Sequence, residues 1–394
     1  MVGKRVIGAE HIVEARAKGR NMFEVLPGDI VTSMAEETAA RLGVRLLDGP
    51  IPKPSSHRTD GATALRRGLY RRSSRWVALQ PTEARGARRL GKIALMGAGG
   101  VGANIAHLAA NRDIADEIVL IDIAPGVATA TALDLNHASG ITRSRARLSG
   151  GEDMTLVAGA EVVVVTAGRA RTPGMTRADL IEVNRRVIRA AAEAIKSQAP
   201  NAVVIVVTNP LDEMTFEMLR ATGFRREQVL GMAGTLDSSR FRHALARAAG
   251  VDAADVEAIT LGSHGDEMAP ITSLARIKGR AVEAFLSPAE IDVCAKDAVT
   301  GGGQVVALKK TGSATIAPAH ASVEVIDHIR GARTGTVPVS VMLDGEYGIN
   351  GVVLGVPCHL GAQGLVAVEE LGLTENEASA LQAAAAAIRA RLEA

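Results

Sequence analysis

Three clusters of reactive side chains lie between Thr166 and Glu267, and all suit the binding and oxidation of a small anion. The first is TAGRARTPGMTRADL (Thr166 to Leu180), a strand end followed by a basic loop in which Arg171 and Arg177 flank Pro173-Gly174. Such a loop can close over a ligand. In the second, GMAGTLDSSRFR (Gly231 to Arg242), Asp237 and Arg240 fall one helical turn apart on one face. The third is GSHGDE (Gly262 to Glu267), which sets His264 among small residues after a strand. Histidine is the side chain whose ordinary pKa suits proton exchange near neutrality. His107, His137, His243, His320 and His328 lack such a setting and read as ordinary surface or core residues.

These clusters need a scaffold, and the stretch from Lys92 to Asp122 supplies its signature. Lys92 to Met96 reads as a buried strand, followed by Gly97-Ala98-Gly99-Gly100-Val101-Gly102, a G-x-G-x-x-G. A helical periodicity runs through Ile105 and Leu108, and a second strand, Glu117 to Ile121, ends on Asp122. Each part suits a dinucleotide site. Gly97 permits a tight turn, Gly99 lets the backbone approach a pyrophosphate, and Gly102 lets helix and strand pack closely. The helix N-terminus offers unpaired N–H groups to phosphates. Asp122 can accept from ribose hydroxyls.

Strands at Val162 to Thr166 and Ala202 to Val207 alternate with a helix from Arg177 to about Ser197. That alternation predicts a Rossmann-type, doubly wound parallel sheet with ligands beyond its carboxyl ends, at Asp122, Ala167-Gly168 and Asn209. After Thr235 the pattern becomes mixed: strands near Ala258 to Leu261 and Ile271 to Ile277, a helix after Pro288, a strand pair over Val337 to Pro357, and a last helix from Asn376. This predicts an α+β substrate domain. The expected divisions are residues 1–49, a small module; 50–90, a basic linker; 91–236, the dinucleotide-binding domain; and 237–394, the substrate domain.

Bulk composition narrows the class. At 394 residues the chain can bury more than one core, and with 47% hydrophobic but 2% aromatic residues those cores must be aliphatic. A net charge of +2 favours neither nucleic acid nor membrane as partner. Cys294 and Cys358 cannot build a disulfide framework, and neither has zinc-ligand spacing, so no metal is expected and a reducing cytoplasm is the expected compartment. The apolar runs are strand-sized.

The motifs from Lys92 to Ala394 occur in an order and at spacings that resemble the lactate/malate dehydrogenase family, as does GEYGINGVVLGVPCHLGAQG (Gly345 to Gly364). The resemblance implies that His264 exchanges the substrate proton and that Asp237 orients it. It implies that Arg240 grips the C1 carboxylate, that Arg177 polarises the C2 oxygen, and that Asn209 touches substrate and cofactor. Cofactor contacts are implied for Gly97, Gly99, Gly100, Val101, Gly102, Asp122, Thr166, Ala167, Gly168, Asn184 and Asn209. Asp122 favours NAD, since its carboxylate would repel a 2′-phosphate and Ile123-Ala124 adds no cation. Arg171 stands where the family's malate enzymes carry arginine, suiting a second carboxylate. Ala314 is small where lactate enzymes tend to carry threonine. Arg169-Ala170 departs from the usual Ile-Pro, and Asp134 to Ala138 reads more like lactate or 2-hydroxyisocaproate enzymes. The expected activity is reversible oxidation of malate to oxaloacetate by a homodimer or homotetramer, with lactate or another 2-hydroxy acid as the alternative.

Residues 1 to about 90 depart from that family. Val6 to Leu47 reads as helix, strand, Pro27-Gly28-Asp29 turn, a helix capped by Ser33, and a short strand. Its wording weakly resembles N-terminal segments of bacterial microcompartment enzymes, which implies docking onto such an assembly. Lys53 to Lys92 carries eleven Lys and Arg against Asp60 and Glu83. With Tyr70 and Trp76 as its aromatics, it reads as a solvated linker rather than a nucleic-acid surface.

Overall fold

The computed structural model describes residues 5–18, 22–48, 87–169, 177–265, 267–310 and 312–393, apart from the side chains at 48, 177 and 178. Arg171, the Arg177 side chain and the basic stretch up to Arg85 lie outside the described residues. The chain divides into two compact units, Met1–Leu79 and Gln80–Ala394.

The first unit runs β1 (Val6–Ile7), α1 (Ala9–Ala17), β2 (Met22–Val25), β3 (Ile30–Val31), α2 (Ser33–Leu42) and β4 (Arg45–Asp48). β1 pairs with β3 and β2 with β4, both in parallel. Ile7, Ile12, Val25, Ala35, Ala39 and Val44 form its core. The cap of α2 is Thr32 rather than Ser33. The Thr32 hydroxyl accepts from the Ala35 N–H at 3.2 Å and donates to the Ile7 carbonyl at 3.1 Å, so the same side chain ends β1's partner strand and starts the helix.

The second unit opens with β5 (Leu90–Met96), α3 (Gly100–Asn111), β6 (Ala115–Ile121), α4 (Val127–Thr142), β7 (Arg147–Gly151) and β8 (Val162–Val165). It continues through α5 (Arg177–Gln198), β9 (Val203–Val206), α6 (Leu211–Thr222) and β10 (Val229–Gly231). These strands lie in the order β10-β9-β8-β5-β6-β7, and all pairs are parallel. The unbroken apolar runs of β8 and β9, VVVV and VVIV, follow from burial on both faces. The chain builds the sheet outward from β5 in one direction and then returns to add β8 on its other side. That reversal leaves a crevice beyond the carboxyl ends of β5 and β8.

The remainder comprises α7 (Gly234–Ala249), β11 (Val256–Gly262), β12 (Met268–Ile277), β13 (Arg280–Ala281), α8 (Pro288–Lys309) and α9 (Ile316–Ile329). It ends with β14 (Val337–Asp344), β15 (Asn350–Gly361), β16 (Gly364–Val368) and α10 (Glu375–Glu393). β14 joins β10 antiparallel at Ser340 and Gly231, so both halves share one 12-stranded sheet. α7 begins at Gly234, directly after β10 and the short loop that follows it. β5 starts at Leu90, two residues before the expected Lys92. Leu90 is fully buried in β5, and Arg88 and Arg89 pair with Glu161 and Asp116.

The glycine loop shows why side chains are barred there. A Cβ on Gly102 would sit 1.9 Å from the Gly97 carbonyl oxygen, and one on Gly97 would sit 2.6 Å from the Ala167 nitrogen. Gly97 also has φ +109°, which disfavours any other residue. Gly102→Ala is therefore expected to cost about 1–3 kcal/mol of stability through overpacking. Denaturant unfolding checks this, and an unchanged midpoint would contradict the tight packing.

Candidate active site

The carboxyl ends of β5, β8 and β9 and the first turn of α7 converge on a cleft of about 320 Å³, the size of a small-ligand site. Thr166, Gly168, Asn209, Arg240 and His264 line it, against an apolar wall that includes Val101, Met232, Leu236, Val306 and Ala314. The structure thus brings together residues separated by about a hundred positions in sequence. Asp237 sits behind them, buried, and Asp122 stands at the end of β6.

Asp237 carries two of the functional groups. Its Oδ2 lies 2.8 Å from His264 Nδ1 and its Oδ1 accepts from Arg240 Nη1 at 3.1 Å. Burial alone would drive the His264 pKa down. The Asp237 charge and its hydrogen bond, with help from Asp212, outweigh burial and the opposing Arg240 charge, so the imidazole is held above its usual value. With Nδ1 engaged by a carboxylate, Nε2 is the nitrogen left for proton exchange.

Arg240 has room because of α8. Cβ atoms on Gly301 and Gly302 would come within 3.4 and 3.3 Å of the Arg240 side chain. A run of three glycines inside a helix costs about 1 kcal/mol per position relative to alanine, and at two of them the close passage of the guanidinium explains the choice. This triplet, Gly301-Gly302-Gly303, is a signal readable in the sequence, outside the three reactive clusters.

Asn184 is fully buried on α5. Its side chain accepts from the Arg169 N–H at 2.7 Å and donates to the Arg169 and Asn209 carbonyls at 3.1 and 2.6 Å. It ties two cleft-lining loops together, so its hydrogen bonds go to the backbone that surrounds a cofactor and not to the cleft itself. Thr208, unremarked in the sequence, acts similarly by donating to the Ala167 carbonyl at 2.7 Å. Arg169 also lines the cleft. Asp134 to Ala138 does not line it; Asn136 there bonds the Leu148 backbone and so pins β7.

A dinucleotide fits the cradle. Among the described residues, its chain neighbours aside, no heavy atom lies within 4 Å of where a Gly99 Cβ would be, so the backbone is open there to a close-approaching phosphate. Asp122 accepts from the Ala98 and Ala124 N–H groups at 2.7 and 3.0 Å, which fixes its carboxylate beside the loop while each oxygen keeps a further lone pair.

A model of the lactate/malate dehydrogenase NAD-binding domain matches residues 91–231, and one of the family's alpha/beta C-terminal domain matches residues 234–394. The chain belongs to the lactate/malate dehydrogenase family. It is an NAD-dependent dehydrogenase. Malate dehydrogenase 1 of Anaeromyxobacter dehalogenans is 42% identical over 293 residues, covering 74% of this chain and 94% of that one. Among solved structures, the malate dehydrogenase of Cryptosporidium parvum superposes with a TM-score of 0.75 at 37% identity, covering 78% of this chain and 98% of that one. The lactate dehydrogenase of Cryptosporidium parvum, in complex with lactic acid and nicotinamide adenine dinucleotide, superposes with a TM-score of 0.75 at 34% identity over the same shares. Residues 1–90 of this dehydrogenase lie outside both family models. Among the described residues no helix is long and apolar enough to cross a membrane.

One acid in this site has no counterpart among the sequence motifs. Asp212, in the first turn of α6, is buried and its pKa is pushed up to about 6, chiefly by burial. The folded carboxyl holds its proton up to about pH 6, whereas the unfolded chain releases it near 3.8. The folded state therefore binds more protons in that window, and its stability falls as pH rises through it. Relative to Asp212→Asn, the wild type is expected to lose about 3 kcal/mol between pH 4 and 6, since each tenfold difference in proton affinity is worth about 1.4 kcal/mol. Denaturant titrations across that range check this; a pH-independent difference would contradict the buried charge.

Proposed function

We propose that this enzyme interconverts (S)-malate and oxaloacetate, with His264 as the general acid/base. The observation that carries the proton role is the 2.8 Å contact between His264 Nδ1 and the buried Asp237 carboxylate. In the oxidation direction neutral His264 takes the hydroxyl proton at Nε2, and Asp237 stabilises the imidazolium that results. Arg240 lends one arm to Asp237, and its planar fork grips the substrate C1 carboxylate with the rest. Arg177 polarises the C2 oxygen, and Asn209 at the cleft wall orients the substrate. Bound NAD supplies the hydride acceptor. The glycine loop and Asp122 hold that cofactor through its phosphates and ribose.

The choice of malate rests on charge and room. Arg171 offers a second cation for the distal carboxylate, which would otherwise be an uncompensated charge in a confined site. Ala314 on the cleft wall leaves space for that carboxylate. The malate dehydrogenase names of several relatives at 40–42% identity support the same reading.

Steady-state kinetics with NADH should show kcat/KM for oxaloacetate well above that for pyruvate; equal or better turnover of pyruvate would overturn the malate assignment. Arg171→Gln is expected to shift preference toward pyruvate. His264→Gln is expected to lower kcat by roughly 10²–10⁴, the usual worth of a general acid/base. Because the His264 pKa is raised, reduction should be lost, and oxidation gained, as pH climbs through that raised value.

A further inference from the structure

His264 is held from two sides, and only the hold on its ring belongs to the proton chemistry already described. On the second side, Asp212 Oδ2 accepts from the His264 main-chain N–H at 2.8 Å, and its Oδ1 accepts from the Ser340 hydroxyl at 2.8 Å. Asp212 has 1% exposure, so this carboxylate is committed wholly to those two partners. A buried acid costs stability unless something is gained from it. The backbone N–H of a loop residue could be satisfied by a neutral acceptor, which leaves the charge itself to be explained.

The neighbourhood shows what the charge does. The helix that carries Asp212 starts directly after Asn209-Pro210, so one turn links the Asn209 wall of the cleft to the histidine loop. The next residue, Glu213, bonds Arg391 of α10 at 2.7 Å, and Arg391 also bonds Glu267 at the far end of the same loop. The loop from Ser263 to Glu267 is thereby anchored at both ends from one helical turn. The charged groups that act on His264 are Asp237 and Arg240 from α7 and Asp212 from α6; those that act on Asp212 are Glu213 and His264.

We propose that Asp212 is a positioning residue for the proton transfer: it fixes the His264 main chain and keeps a second negative charge at the histidine loop, so that the imidazole retains its proton in the reducing direction. Asp237 governs the ring and its tautomer, and Asp212 governs where the ring's backbone sits. Ser340 keeps the Asp212 carboxylate ionised by donating to it. This rests on His264 being the general acid/base.

The test compares wild type, Asp212→Asn, Ser340→Ala and His264→Gln as purified full-length enzymes, by pH profiles of kcat and kcat/KM for oxaloacetate reduction. Asparagine preserves shape and can accept from the His264 N–H while donating to Ser340, so Asp212→Asn removes mainly charge. Its activity is expected to fall off at lower pH than in wild type, with kcat reduced about tenfold at neutral pH and NADH affinity, read by fluorescence titration, unchanged. Ser340→Ala, a milder change that serves if Asp212→Asn does not fold, should move the profile the same way by less, because a carboxylate deprived of a hydrogen bond is less ionised. A wild-type profile and kcat in both variants would overturn the proposal. So would a loss of stability whose folded fraction keeps the wild-type profile, since that is what a merely structural acid would do. If instead His264→Gln keeps wild-type activity, the general acid/base reading itself fails, which separates the two failures.

Discussion

The buried carboxylate of Asp237 is the constraint on which the functional half of the molecule depends. It is shared between the His264 imidazole and the Arg240 guanidinium. A buried anion of this kind is tolerable only if its partners stay in place. The fold therefore has to bring α7, the loop after β11 and the glycine-rich segment of α8 to one point. Much of the second unit can be understood as meeting that requirement. The continuous sheet sets α7 against β14, with Thr235 donating to the Pro338 carbonyl at 2.7 Å. The two small residues Gly301 and Gly302 let Arg240 pass.

The cofactor half answers a different constraint, the close approach of backbone to phosphate. There the structure removes atoms instead of adding partners. The absent side chains at Gly97 and Gly102 let the loop, the start of α3 and the end of β8 occupy nearly the same space. Asp122 then stiffens the loop from its far side through the Ala98 N–H. Within this half the Asn184 amide fastens the loop after β8 to the loop after β9. Two cleft-lining loops are thus tied by a buried amide, and by the Thr208 hydroxyl beside it, without a charge.

What is legible in the sequence is what local periodicity or a short motif encodes. The strand–glycine–helix–strand unit from β5 to β6 stands out because its elements are adjacent and strongly apolar. The helix α4 does not, because VATATALDLNHASGIT mixes small and polar residues with little amphipathic contrast. Nor does β7, whose RLSGG carries two glycines and one large apolar residue. His264, Asp237 and Arg240 stand out in the sequence through family resemblance, while the distances between them do not. Asp212 is unreadable for a plainer reason. Its partners lie 52 and 128 residues away, and nothing local distinguishes it from an acid placed in a helix's first turn to suit the dipole. The cap of α2 falls one residue before the expected Ser33 because Thr32 offers the same chemistry, and only the contact to Ile7 decides between them.

The central claim is that His264, paired with Asp237, carries the proton that the reaction exchanges. Calorimetric titration of the NADH-loaded enzyme with an unreactive dicarboxylate analogue of oxaloacetate, in two buffers of different ionisation enthalpy, measures it directly. Above the pH at which free His264 is neutral, binding is expected to take up about one proton per site, by linkage between ligand and imidazolium. That uptake should vanish in His264→Gln. Tight binding with no proton uptake, or the same uptake in His264→Gln, would contradict it.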